Sequence, residues 1–112
     1  MSMSKLRVCA LMLAAFCSTA HAETTTHQGR DLARARQCLG CHQVDARRVG
    51  PPFTAIAARF GGQPGARDHL ADVIRRGSTG QWGAIPMPAQ PQVSATDAQR
   101  LAAWILSLGD GR

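Results

Sequence analysis

Residues 38–42 read Cys-Leu-Gly-Cys-His, and no other stretch of the 112-residue chain narrows its possible folds as much. The weight of this cluster comes from what surrounds it. Lys5 and Arg7 precede an apolar run from Val8 to Cys17, and Ala20-His21-Ala22 has the A-x-A form of an export cleavage site. Residues 1–22 are therefore expected to be a cleaved secretory signal peptide, with Glu23 the first mature residue. The apolar run is about half the length of a membrane span. Acylation of Cys17 is disfavoured by bulky Phe16 directly before it. Cys9 and Cys17 leave with the signal, so Cys38 and Cys41 are the whole thiol complement of the expected mature domain, residues 23–112.

A domain of that size buries only about 60–65% of its unfolded surface. Its large aromatics are Phe53, Phe60, Trp82 and Trp104, and there is no tyrosine. Such a chain needs a staple: a metal, a disulfide or a cofactor. Two cysteines cannot build a disulfide-dense scaffold. The length excludes a multidomain enzyme.

In an exported chain, C-x-x-C-H reads as attachment of a c-type haem. The two thiols add across the two vinyl groups on one haem edge, and the histidine beside the second cysteine brings its imidazole under the iron. Other readings of the motif have less behind them. A thioredoxin-like redox pair needs a βαβ pattern, which the chain lacks. A zinc site needs further ligands at suitable spacing, which His27 and His69 do not provide. A Cys38–Cys41 disulfide would close too small a loop to stabilise much.

His42 would fill one axial position on the iron, and few residues could fill the other. His27 lies in a polar lead-in. His69 falls on the charged face of an expected helix, where histidines are usually solvated. Met87 stands between Pro86 and Pro88, which stiffen the backbone on both sides. A core-filling methionine would belong on a helix face. Met87 is therefore the expected sixth ligand. Histidine with thioether raises the reduction potential and leaves no ready position for a substrate, which points to electron transfer rather than catalysis.

The rest of the chain reads as all-α. Residues 23–27 form a threonine-rich lead-in, expected to be loose, before a short amphipathic helix over about His27–Gln37. Pro51-Pro52 can open a helix over 53–60, which Gly61-Gly62 stops. Over 65–76, Ala66, Leu70, Val73 and Ile74 share a face, and Gly77 sits at the expected end. Residues 77–92 carry glycines and prolines without periodicity and read as a long functional loop. Over 94–108, Ser94 and Asp97 make an S-x-x-D start, and Leu101, Trp104, Ile105 and Leu108 follow a helical stripe.

The chain from about Gly29 to Leu108 resembles the small bacterial class I cytochromes c of the cytochrome c551 (c8) group. The resemblance rests on Cys38–His42, Val49-Gly50-Pro51, Ala57–Phe60, Arg76-Gly77-Ser78, Trp82–Pro88 and Ala103–Ser107. The Ile85-Pro86-Met87-Pro88 segment, downstream of the haem motif, makes it specific. It implies short helices packed around one covalently bound haem, with a long axial-methionine loop and the first and last helices crossing. It implies that the Pro51 carbonyl accepts from the free ring N–H of His42, that Trp82 bonds a haem propionate, and that Trp104 packs where the terminal helices meet. Two departures stand out. Gln90 occupies a position where the family often has asparagine near the methionine sulfur, in a segment one residue longer than usual. Val73 stands where some members have a propionate-binding arginine, with Arg75 and Arg76 nearby.

The expected mature chain keeps eleven arginines and no lysine against seven acids, a net charge of about +4. The arginines are spread out, as on a solvated surface or a basic rim that steers the chain to acidic partners. Nucleic-acid binding does not fit an exported chain without basic–aromatic alternation. The expected function is a monomeric periplasmic carrier of single electrons. The resemblance implies as partners a bc1-type donor, a cupredoxin, and a nitrite reductase or peroxidase. The alternatives are a permanently bound cytochrome subunit of a periplasmic oxidoreductase, or a haem enzyme or gas sensor with a displaceable Met87.

Overall fold

The computed structural model describes residues 18–109, with backbone only for 18–24. The signal expected over 1–22 thus lies mostly outside the described residues. The chain forms α1 (Ser18–Ala35), a single 3₁₀ turn (Cys38–Gly40), α2 (Phe53–Phe60), α3 (Ala66–Arg76) and α4 (Ala95–Ser107). Among the described residues there is no strand, only an isolated antiparallel bridge between Ser78 and Met87. No helix among them is long and apolar enough to cross a membrane.

The C-terminal helix organises the rest. α4 buries Ala98, Leu101, Ala102, Trp104 and Ile105 and packs against α1, α2 and α3. Its start follows from local chemistry. The Ser94 hydroxyl accepts the Asp97 N–H at 3.0 Å, satisfying one of the free amides of the first turn. The Asp97 carboxylate does not complete a reciprocal cap. It accepts both Nε and Nη2 of Arg36, at 3.1 and 2.9 Å, and so ties the end of α1 to the start of α4.

α1 begins earlier than the sequence suggests. The threonine-rich lead-in is helical, and α1 continues across the expected cleavage site. Threonines have weak helix propensity, but extending an existing helix costs far less than starting one. Downstream, α1 buries Ala33 and Gly29. A Cβ built on Gly29 would lie 2.1 Å from Cγ of Trp104, so the absence of a side chain sets the approach of the two terminal helices. Trp104 does pack at this crossing, as the resemblance implies. Its buried Nε1–H meets no acceptor among the described residues, so its contribution is packing rather than hydrogen bonding.

α2 and α3 form where expected. Pro52 caps α2, and the Gly61 N–H closes on the Ala57 carbonyl at 2.8 Å. α3 buries Ala66, Leu70, Ala71 and Ile74, leaving Val73 half-buried at the edge of a cavity. A relay of rings leads from the core to that cavity. Phe53 meets Trp104 edge-on at 5.2 Å and stacks on His42 at 5.0 Å.

Candidate functional site

The 3₁₀ turn explains the spacing of the motif. Gln37 enters it with φ 66°, and the N–H groups of Cys41 and His42 both donate to the Cys38 carbonyl, at 3.2 and 3.0 Å. With three residues per turn, side chains at i and i+3 eclipse. The thiols of Cys38 and Cys41 therefore share an edge, and both line a cavity of about 710 Å³. Both are free. Burial pushes the Cys38 thiol up from its ordinary range, opposite to the lowered value of an activated redox pair. Among the described residues no three His, Cys, Asp or Glu side chains are grouped to hold a zinc-type ion.

His42 is buried, and its orientation is set from three sides. Its Nδ1 donates to the Pro51 carbonyl at 2.8 Å. A carbonyl can only accept, so Nδ1 carries a proton, and in the neutral ring the lone pair then falls on Nε2, the arrangement of a ligating histidine. Phe53 stacks on the ring. On a third side lies Gly50, where a Cβ would come within 2.4 Å of Cε1. The 43–52 loop is itself folded back by Gly50 N–H to Cys41 O (2.8 Å) and Phe53 N–H to Gln43 O (3.0 Å).

Met87 lines the same cavity from the opposite end of the sequence, on the 77–92 loop. That loop is not structureless: Ser78 and Met87 exchange two backbone hydrogen bonds of 2.9 Å. His42 and Met87 also border an adjoining recess of about 90 Å³, which reaches Trp82, Phe60, His69 and Arg47. Trp82 is half-buried there. The Arg59 guanidinium lies 4.7 Å from the Trp82 ring centroid, and its Nη1 donates to Gln81 O at 2.6 Å. Arg59 and Arg47 are residues to which the sequence assigns no role at the site, because one surface arginine among many gives no local signal. Arg75 and Arg76 do not border the recess; Arg76 pairs with Asp72 at 2.8 Å. His27 is exposed on α1, away from the site, and His69 is exposed although its ring stands 5.1 Å from Phe60. Gln90 directs its amide within the loop, donating to Pro88 O at 3.0 Å and accepting from Gln92 at 2.7 Å.

The crevice fits a haem by its chemistry. Its size falls in the range of cofactor pockets, two free thiols lie along one edge, and a buried imidazole offers Nε2. Its side chains are mostly apolar, and its charged members are arginines, with no carboxylate to oppose a propionate.

The comparisons with known proteins agree. The family model for cytochrome c oxidase, cbb3-type, subunit III matches residues 24–105. Cytochrome c-552 of Nitrosomonas europaea is 47% identical over 78 residues, covering 70% of this chain and 76% of the relative. Cytochrome c-551 of Azotobacter vinelandii is 43% identical, covering 70% and 95%. The crystal structure of wild-type N. europaea cytochrome c552 superposes with a TM-score of 0.69 at 47% identity, covering 70% of this chain and 98% of that one. The chain belongs to the small class I cytochromes c of the c551/c552 group. This cytochrome is an electron carrier and not an enzyme. Its cofactor is one covalently attached haem c with iron. A class 1 cytochrome from Sideroxydans lithotrophicus, 24% identical with a TM-score of 0.60, shares the fold.

Proposed function

We propose that this cytochrome shuttles single electrons between respiratory partners in the periplasm, with its haem bonded to Cys38 and Cys41 and its iron held by His42 and Met87. The carrying observation is the His42 Nδ1–Pro51 bond of 2.8 Å, on a residue that shares one apolar cavity with both thiols and Met87. Haem c supplies a one-electron iron couple. Cys38 and Cys41 tether it by one edge. Pro51 fixes the tautomer and ring plane of His42, so Nε2 is presented without reorientation. Met87 would hold the iron through a soft sulfur, which favours the ferrous state. Trp82, braced by Arg59, would hold a propionate through its indole N–H.

Val49 and Ile85, 46% and 61% exposed, form an apolar lip on the recess. This lip suits brief docking with small contact area. The partners proposed are a bc1-type donor, a cupredoxin, and a nitrite reductase or peroxidase. Residues 1–22 act as the export signal, and the mature chain works as a monomer.

The family model's name, that of an oxidase subunit, favours a second reading as a permanently bound subunit. Size-exclusion of native extract separates the two, since a carrier elutes alone and a subunit with its enzyme. The ligand set is tested by spectra of the exported protein. The oxidised form should have the near-infrared sulfur-to-iron charge-transfer band at neutral pH, and the reduced form should not bind carbon monoxide. Carbon monoxide binding without that band would overturn the carrier reading in favour of an open-site haem protein.

A further inference from the structure

The Met87 side chain reaches the crevice from a segment laid along the end of α3. The Gly77 N–H ends that helix on the Val73 carbonyl at 2.7 Å. The next residue, Ser78, exchanges two backbone bonds of 2.9 Å with Met87, and the Gln90 N–H returns to the Ile74 carbonyl at 3.1 Å. Pro86 and Pro88 have no N–H, so the Met87 amide is the only donor across that tripeptide, and it is used here. Gly77 has φ 80° and ψ −179°, a region essentially confined to glycine. A Cβ there would stand 2.5 Å from the Met87 carbonyl oxygen, 2.8 Å from Ala89 N and 3.0 Å from Pro88 C. All three are backbone atoms, and none can swing aside as a side-chain tip would.

We propose that Gly77, through the paired backbone bonds of Ser78, is a positioning residue for the Met87 sulfur: its missing side chain lets the loop lie flush on α3 and sets how firmly the thioether stays on the iron. This inference rests on Met87 being the axial ligand. The same loop contains a control. Gly80 also has a left-handed φ of 73°, yet a Cβ there meets nothing within 4 Å. Alanine at either position strains the backbone, but only at 77 does it press on Met87.

The test is imidazole titration of the oxidised holoprotein, following the near-infrared sulfur-to-iron band, with thermal midpoints for each variant. Gly77→Ala should bind imidazole roughly tenfold to a hundredfold more tightly than wild type, the range expected when strain of this class falls on the ligated state. Gly80→Ala should titrate like wild type even where its thermal midpoint drops as far. Equal titrations for Gly77→Ala and wild type, or an equal shift in Gly80→Ala, would overturn the proposal. Should Gly77→Ala fail to mature, amide exchange in the wild-type protein decides instead. The Met87 and Ser78 amides should be as protected as those of α3, and free exchange at Met87 would refute the clamp. Absence of the band in wild type would refute Met87 ligation itself, an outcome distinct from an intact band that Gly77→Ala leaves unmoved.

Discussion

Gly29→Ala gives a sharp test of the packing, because two ordinary rules predict opposite signs. In an exposed helix interior the change stabilises by about 1 kcal/mol, since alanine is the better helix former. Here the new methyl would fall 2.1 Å from Cγ, 2.4 Å from Cδ1 and 2.6 Å from Cβ of Trp104. Comfortable carbon contacts are about 3.5–4.0 Å. Either α1 and α4 separate by more than an ångström or the indole leaves its place. Overpacking of a core costs about 1–3 kcal/mol, and a conflict this close belongs at the upper end. Set against the gain in helix propensity, the net loss is about 2 kcal/mol. A domain of this size shifts by about 4–8 °C per kcal/mol, so Tm should fall by roughly 8–16 °C in circular-dichroism melts of the holoprotein. Trp104→Ala removes Cγ and Cδ1, the two closest atoms, so the double variant should be less destabilised than the two single losses together, with a coupling of about 1 kcal/mol or more. A higher Tm for Gly29→Ala, or strict additivity in the cycle, would refute the account of the helix crossing.

Met87→Ala should abolish the near-infrared band and lower the reduction potential by on the order of a hundred millivolts or more, as axial ligands span about 0.8 V among haem proteins; an absorption spectrum checks the first and voltammetry of the purified protein the second. Replacing Cys38 and Cys41 together by alanine should give little folded protein, because the cofactor completes the core of so small a domain. A cooperative melt of colourless double variant would contradict this. Ser94→Ala should cost about 1 kcal/mol through the lost cap on α4, read from the thermal midpoint, with the spectrum unchanged.

The parts of the fold legible in the sequence were those with local signals. α4 announced itself through Leu101, Trp104 and Ile105 at helical spacing behind Ser94, and these three are buried. Met87 drew notice because prolines on both sides made it a poor core residue. The remainder depended on contacts between distant segments. Asp97 resembled half of a capping box, yet its carboxylate is engaged by Arg36, 61 positions earlier. Gly29 carries no signal of its own in the sequence, because its partner lies across the helix crossing, 75 positions later. A single bridge such as Ser78–Met87 carries no alternation of apolar and polar residues, so no strand pattern could reveal it. The threonines ahead of His27 read as loop because propensity is a weak prior beside propagation from a packed turn.

The two residues proposed to ligate iron are held by different parts of the chain, but by the same kind of support. His42 is fixed by a backbone carbonyl, a glycine and a buried ring, and that ring leads through Trp104 to the crossing at Gly29. Met87 is fixed by two backbone bonds, a glycine and flanking prolines. Neither support uses an exposed charged side chain. The arginines that face solvent can therefore vary without moving the ligands, while changing the field a partner meets at long range. Substituting exposed Arg75 or Arg48 should alter the ionic-strength dependence of electron exchange with an acidic partner and leave the near-infrared band in place. Loss of the band in either variant would mean that docking charge and iron coordination are not separable in this fold.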